Sequence, residues 1–268
     1  MYTIIDAHCH VYPDAIAEKA ARATDAFYGV IGKHNGTLSE LMAANERAGI
    51  CHSLICSVAT TAHQVHSANK FIAGIVEKDP VHFSGFGTLY PDCPDVEADL
   101  DEAIAFGLKG IKIHPDIQKF AIDDPLCREI CWLCEKKGMP VLFHTGDPRY
   151  NYSNPQQLRP ILRDYPDLVV IGAHFGGYQN WDEAVQQLYG HPNFYVDCSS
   201  ALFALSPMKA RELIDGFGVD HVFFGTDYPM WDPKKEVEKF MALELTEEER
   251  QLILAGNAQR VLKVGVEE

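Results

Sequence analysis

Short apolar runs alternate along this chain with longer segments that carry their apolar residues at helical spacing. The apolar runs are rich in β-branched residues, and one of them, Leu168-Val169-Val170-Ile171, has no polar position, which is typical of a strand buried on both faces. The pattern predicts strands over residues 4–10, 53–58, 83–89, 110–114, 140–144, 168–173, 194–198 and 221–225. It predicts helices over residues 39–48, 62–78, 96–106, 124–137, 157–164, 181–188, 207–217 and 234–241.

Strand-then-helix units in succession predict a parallel sheet that is covered by helices. Because the sequence shows eight such units, it favours an α/β fold of the closed (β/α)8 type, the TIM barrel, over an open sheet. We expect residues 1–268 to form a single domain, with one or two extra helices over residues 247–262.

The connection after the first strand, residues 11–38, is too long for an ordinary loop between a strand and a helix. It is punctuated by glycines and carries aromatic residues, among them Phe27 and Tyr28. Inserted loops of this kind are typical of lids, so we expect this one to close over a binding site. Ser39 is then expected to cap the next helix, and Gly49 to end it.

The formal net charge of −15 argues against nucleic acid and anionic membranes as partners, since both are bound through clustered Lys and Arg. The chain has no run of 18 apolar residues and no pattern of a secretory leader, so we expect a cytoplasmic protein that acts on a small molecule. The sequence leaves open whether it forms a homodimer.

Eight cysteines are present without the spacing of a disulfide scaffold, so we expect reduced thiols. Cys127, Cys131 and Cys134 share one face of a predicted helix. A single straight helix does not wrap three thiolates around a tetrahedral ion, so packing against the core is a better interpretation than zinc binding.

Histidines and carboxylates recur where the predicted strands end. In a barrel these carboxyl-terminal ends form one mouth, which is where active sites of this fold lie. A single histidine there could equally be a core or loop residue, but a recurrent His/Asp cluster at one level suits a catalytic metal. The residues are His8 and His10 after the first strand, Lys112 and His114 on the fourth, His144 on the fifth, His174 on the sixth and Asp227 on the eighth.

The motifs around these residues resemble those of the amidohydrolase superfamily, and within it the amidohydrolase-related branch that includes the aminocarboxymuconate-semialdehyde decarboxylases. The similarity runs from residue 4 to the helix around residues 257–260. It rests on Asp6-Ala7-His8-Cys9-His10, Gly110-Ile111-Lys112-Ile113-His114-Pro115, Phe143-His144-Thr145-Gly146, Gly172-Ala173-His174-Phe175-Gly176-Gly177 and Phe224-Gly225-Thr226-Asp227-Tyr228-Pro229.

The resemblance implies a divalent metal held by His8, His10, His144 and Asp227, with His174 beside it to orient and polarise a bound water or substrate. We expect a single Zn²⁺. Members with two metals use a carboxylated lysine at the end of the fourth strand, whereas here Lys112 lies two residues before that end and His114 takes the mouth. A bridging role for Lys112 therefore stays open.

A metal-bound water next to Asp227, acting as general base, would hydrolyse a small amide, lactone or ester-like bond, and hydrolysis is the activity that we expect. The alternative is nonoxidative decarboxylation of a small unsaturated carboxylic acid on the same metal. Arg149 is either a ligand of a substrate carboxylate or a solvated loop residue. A barrel that binds a metal or sugar phosphate without turnover is a third interpretation, disfavoured by the presence of both His174 and Asp227.

Overall fold

The computed structural model describes residues 2–265, which fold into eight parallel strands that follow one another around a sheet in chain order. Each strand pairs with the next in parallel register. The strands are β1 (Ile5–His10), β2 (His52–Cys56), β3 (Phe83–Thr88), β4 (Ile111–Ile113), β5 (Val141–Phe143), β6 (Val170–Gly172), β7 (Phe194–Asp197) and β8 (Val222–Phe223).

The two ends of the sheet meet through backbone hydrogen bonds between β1 and the segment that follows β8. The amide of Ala7 donates to the carbonyl of Phe224 at 2.9 Å, and the amide of His10 donates to that of Tyr228 at 2.7 Å. The sheet therefore curls into a nearly closed barrel, and the predicted (β/α)8 TIM barrel is confirmed.

Helices follow the strands and cover the outside of the barrel. Within residues 2–265, each helix is too short or too polar to cross a membrane. The α-helices are α1 (Asp14–Tyr28), α2 (Leu38–Ala48), α3 (Val65–Lys78), α4 (Val96–Ala105), α5 (Pro115–Gln118), α6 (Pro125–Lys137), α7 (Pro155–Asp164), α8 (Trp181–Leu188), α9 (Pro207–Phe217), α10 (Pro233–Met241), α11 (Glu247–Gln251) and α12 (Asn257–Leu262). Short 3₁₀ turns precede α3 and β8, and a π-helical stretch joins α11 to α12.

The insertion after β1 differs from the predicted loop, because 15 of its residues form α1. Six alanines in this helix supply strong helix propensity, and Gly29 ends it in a left-handed conformation with φ 67°. The cap of α2 also differs, since Thr37 rather than Ser39 accepts the hydrogen bond from the amide of Glu40. Gly49 ends α2 as predicted, with φ 72°.

Several strands are shorter than predicted, and this changes where the mouth residues sit. His114 follows β4, His144 follows β5 and His174 lies two residues beyond the end of β6. These side chains are therefore placed by the first turns after the strands, and not by strand alternation alone. Hydrogen bonds to other segments of the chain, described below, orient these rings.

The hydrophobic core has two layers, one inside the barrel and one between the sheet and the helices. Leu54, Phe86 and Leu142 belong to the inner layer. The three cysteines of α6 are fully buried in the outer layer, with Ile130 and Leu133. The core interpretation of these cysteines is thus supported by their surroundings.

Candidate active site

The end of β1 presents two imidazoles to the barrel mouth, because alternate residues of a strand point to the same face. His8 Nε2 and His10 Nε2 lie 3.2 Å apart. The carboxylate Oδ1 of Asp227, which comes from the segment after β8, lies 3.6 Å from the first of these nitrogens and 3.5 Å from the second. Three of the four predicted metal ligands therefore converge on one point.

The orientation of His8 is fixed from behind by a buried carboxylate. His8 Nδ1 lies 2.9 Å from Asp197 Oδ2, and both side chains are buried. Since a carboxylate accepts, His8 donates through Nδ1 and leaves the lone pair of Nε2 aimed at the mouth. The donor spacing around that point fits ligands on one divalent ion, for which metal–nitrogen distances are about 2.1 Å.

Asp227 is held in a backbone conformation that non-glycine residues rarely adopt, with φ 58°. Its amide donates to the carbonyl of His8 at 2.8 Å, and Ser200 Oγ donates to its Oδ2 at 2.5 Å. Burial by itself would raise the pKa of the Asp227 carboxyl, but the histidines beside it and the bond from Ser200 outweigh burial and hold that pKa below its ordinary value. The site therefore keeps an ionised carboxylate, as a metal ligand requires.

His174, the second predicted catalytic residue, also has a left-handed backbone, with φ 60°. Its Nδ1 lies 3.0 Å from the carbonyl oxygen of Ser199, to which it donates. Burial lowers the pKa of His174 to about 4, so the ring is neutral at neutral pH. Its Nε2 is then an acceptor, 3.0 Å from Nδ1 of His144.

His144, the fourth predicted metal ligand, contacts a neighbouring group of polar side chains. Its ring stacks on His114 at 4.0 Å between centroids, and its Nε2 lies 3.7 Å from Asp116 Oδ2. The hydroxyl of Tyr28, on α1, lies 2.8 Å from His114 Nε2 and 3.2 Å from His144 Nε2. Metal ligation by His144 stays a prediction, since His174 stands between this ring and the point where His8 and Asp227 converge.

Arg149 is paired with a carboxylate of the protein itself. Its Nε and Nη2 donate to the two oxygens of Asp147 at 2.9 and 2.7 Å. A third nitrogen donates to the carbonyl of Phe27 at the end of α1, and the guanidinium lies over the rings of Phe27, Tyr28 and Tyr150. Binding of a substrate carboxylate by Arg149 would require this pair to open.

A cavity of about 580 Å³ lies above the site. One side is formed by α1, so the inserted segment lies over the pocket where the lid prediction put it. Aromatic side chains line the walls and polar side chains line the floor. The aromatic residues include Phe27, Tyr28 and Phe71, and the floor contains His8, His10, Lys112, His114, His144, His174 and Asp227.

The sequence matches the model of the amidohydrolase family over residues 5–264. This match covers nearly the whole chain and includes every residue of the site. The chain belongs to the amidohydrolase family. As a member, it is a metal-dependent enzyme, and the resemblance predicted from the motifs is confirmed.

One curated relative of this amidohydrolase is 2-amino-3-carboxymuconate-6-semialdehyde decarboxylase of Dictyostelium discoideum, which is 25% identical over 241 residues. The match covers 72% of this chain and 65% of the relative, so the chain spans less than two thirds of that protein's length.

Solved structures show the same fold at low identity. An uncharacterised TIM-barrel protein from Bordetella bronchiseptica has a TM-score of 0.81 at 22% identity, with 97% of this chain and 98% of that chain covered. A dihydroxybenzoic acid decarboxylase from Polaromonas, with bound manganese and the inhibitor 2-nitroresorcinol, has a TM-score of 0.76 at 16% identity, with 100% of this chain and 98% of that chain covered.

Asp197 and Tyr28 are among the residues of the amidohydrolase site that sequence reasoning missed. Asp197 ends β7, and inspection of every strand end would have found it. Tyr28 could not be placed, because the insertion was interpreted as a loop and the ring reaches His114 only through the position of α1. Seven residues of the chain's described part other than glycine have positive φ, and three of them, His174, Ser200 and Asp227, lie at this site.

Proposed function

We propose that this amidohydrolase is a metal-dependent nonoxidative decarboxylase of a small unsaturated carboxylic acid. The observation that carries the proposal is the similarity to 2-amino-3-carboxymuconate-6-semialdehyde decarboxylase over 72% of the chain. The sequence motifs led us to expect hydrolysis with decarboxylation as the alternative. The comparisons favour the alternative, so the order of the two activities is reversed here.

In this proposal His8, His10 and Asp227 hold one divalent ion, with His144 as the predicted fourth ligand. When bound, the ion supplies a Lewis acid that stabilises negative charge on a substrate oxygen. Zn²⁺ is the ion that the His/Asp set suggested, and the manganese in the Polaromonas decarboxylase makes Mn²⁺ the competing choice.

Decarboxylation breaks the bond between the substrate carbon and its carboxylate, CO₂ leaves, and the electron pair that remains on carbon takes up a proton. We assign the proton transfer to Asp227, because its carboxylate is ionised and faces the mouth. It accepts a proton from a substrate hydroxyl or from water and passes it to carbon. His174, neutral and fixed by Ser199, orients the substrate beside it.

The walls of the cavity suit a flat unsaturated acid. Phe27 and Tyr28 pack edge to face at 4.9 Å between centroids, and both line the cavity. Aromatic walls exclude water from the carbon that receives the proton and contact the face of a conjugated substrate. Conjugation is what the reaction needs, because the electron pair left by CO₂ must be delocalised.

The test is a panel of lactones, amides and unsaturated carboxylic acids, among them 2,6-dihydroxybenzoate, incubated with the metal-loaded enzyme in H₂¹⁸O. We expect CO₂ release from an acid, with no ¹⁸O in the organic product. Hydrolysis of a lactone or amide with ¹⁸O in the product, and no CO₂ from any acid, would restore the original expectation. Elemental analysis of the same preparation identifies the ion and its number per chain.

A further inference from the structure

The floor of the cavity contains a lysine that no side chain of the described protein neutralises directly. Lys112 is the middle residue of β4, and its side chain is 1% exposed. Its Nζ has no hydrogen-bond partner among residues 2–265, although the side chain lines the cavity. A buried ammonium that lacks hydrogen bonds is costly, so its retention points to a partner that binds there.

The carboxylates around Lys112 are already engaged elsewhere. Asp227 and Asp197 attract the lysine electrostatically, but Asp227 accepts from Ser200 and faces His8 and His10, and Asp197 accepts from His8 and Ser199. Burial lowers the pKa of Lys112, and these two carboxylates oppose that shift only in part. Within the described residues, the Nζ group of Lys112 is therefore left without an acceptor for its N–H groups.

The position of Lys112 defines the ligand chemistry. Lys112 precedes His114 by two residues, and both side chains line the cavity that Tyr28 also contacts. The walls above are aromatic, and the metal ligands lie on the same floor. This space suits an anion on a flat apolar body, with its charge next to Lys112 and its body between the rings.

We propose that Lys112 Nζ binds the carboxylate of the acid substrate and thereby selects carboxylates over neutral molecules of the same shape. This inference rests on the proposed function for the identity of the substrate, but anion selection by Lys112 can be measured without turnover. It assigns to Lys112 the role that Arg149 had in the sequence interpretation.

The probes are benzoate and benzamide, which share a shape and differ in charge. Calorimetric titration of the metal-loaded enzyme compares the wild type with Lys112→Met and with Lys109→Met, a matched change of an exposed lysine. We expect Lys112→Met to bind benzoate at least about tenfold more weakly, the effect of losing a charge-assisted hydrogen bond. Benzamide affinity and metal content should change less than about twofold, and Lys109→Met should match the wild type.

Equal benzoate affinity in the wild type and Lys112→Met would overturn the inference. So would a CO₂ adduct on Lys112 in the intact mass together with two metal ions per chain, because the amine would then be a metal ligand. If Lys112→Met does not fold, a benzoate complex of the wild type decides the matter. A carboxylate oxygen within about 3 Å of Nζ supports the inference, and a carboxylate bound elsewhere contradicts it.

The outcomes also separate this inference from the proposed function. Loss of benzoate affinity in Lys112→Met, with no CO₂ from any acid by the wild type, would keep the anion site and remove the decarboxylase. CO₂ release by the wild type with an unchanged KM for the acid in Lys112→Met would keep the decarboxylase and remove the anion site. CO₂ release by the wild type, together with a raised KM for the acid and little change in kcat in Lys112→Met, supports both the anion site and the decarboxylase.

Discussion

His8 donates from Nδ1 to Asp197 across the interior of the barrel at 2.9 Å, and both side chains are buried. Burial would raise the pKa of Asp197, but the adjacent His8 and the hydrogen bonds from His8 and Ser199 outweigh burial and hold that pKa below its ordinary value. The ionised carboxylate fixes the tautomer of His8 and so directs Nε2 to the mouth. A hydrogen bond behind a metal ligand of this kind contributes to metal affinity.

Asp197→Asn should therefore weaken metal binding by about 10–100-fold, because an amide neither accepts as strongly nor fixes the tautomer of His8. Competition with a chelator of known affinity measures the change. Asp215→Asn, an exposed aspartate on α9, is the control and should bind metal as the wild type does. Unchanged affinity in Asp197→Asn, with normal circular dichroism, would show that the hydrogen bond serves stability only.

His10→Ala should lose the metal while the barrel stays folded. His10 stands at the mouth with its Nε2 toward Asp227, and it contributes little to the packed core. Elemental analysis should find about one ion per chain in the wild type and a stoichiometry near zero in the variant, with similar far-UV circular dichroism. His63→Ala, at an exposed position, should keep its metal. Metal retained by His10→Ala would assign the ligand elsewhere.

Asp227→Asn should lower turnover by about 10²–10⁴, the usual contribution of general acid–base catalysis, even in samples reloaded with metal. The amide keeps the shape and the contact with Ser200 but carries no exchangeable proton of the required acidity. Turnover per bound metal ion is the quantity to compare. Asp220→Asn, at an exposed position, should be fully active, and an active Asp227→Asn would move the proton transfer to another group.

Arg149 should stabilise α1 in its position over the cavity. Its contacts with Asp147 and the carbonyl of Phe27 fix the end of the helix over the cavity. Arg149→Ala should raise the rate of proteolysis within α1 by about fivefold to tenfold through easier local opening, with unchanged metal content. Arg159→Ala on α7 is the control.

Ligand binding tests whether α1 is also a lid. Benzoate at saturating concentration should protect α1 of the wild type from cleavage, because a filled cavity favours the closed position. If benzoate gives no protection, the helix is a fixed wall. If Arg149→Ala weakens benzoate binding but leaves α1 resistant, the role of Arg149 as a carboxylate ligand is restored.

Asp116 should make the stability of the fold depend on pH. Burial raises the pKa of this carboxyl from 3.8 to about 6, and the hydrogen bond from Ser153 opposes the rise only in part. The folded protein binds this proton more tightly than the unfolded chain does. Protonation of Asp116 therefore contributes most to the free energy of unfolding below pH 3.8, and this contribution is lost as pH rises to about 6.

Urea denaturation should therefore show that the free energy of unfolding of the wild type falls between pH 4 and 7 by up to about 3 kcal/mol relative to that of Asp116→Asn. The size follows because one pKa unit corresponds to about 1.4 kcal/mol. Asp92→Asn, in an exposed loop, is the control, and its free energy of unfolding should depend on pH as that of the wild type does. If the difference in free energy of unfolding between Asp116→Asn and the wild type does not change with pH, Asp116 has the same pKa in the folded and the unfolded state.

The sequence by itself determined the barrel and most of its mouth. Eight apolar runs with helices between them have few other ways to bury both faces of each strand, so the (β/α)8 topology followed from pattern alone. Alternation on β1 likewise predicted that His8 and His10 face one point, because the period of a strand is a local property. The strand ends also included Asp227, to which the resemblance assigned a role as metal ligand, and the structure brings it to the same point.

Only the tertiary structure decided which partner each of these groups has. His8 and Asp197 are 189 residues apart, and strand pattern says nothing about which inward side chains meet across the barrel. Arg149, which is paired with Asp147, meets the carbonyl of Phe27 only because α1 folds over the mouth. Lys112 is left without a carboxylate partner because its neighbours bind histidines and serines instead. Local periodicity sets the direction of a side chain, whereas hydrogen-bond partners depend on distances between segments that the chain brings together only by folding.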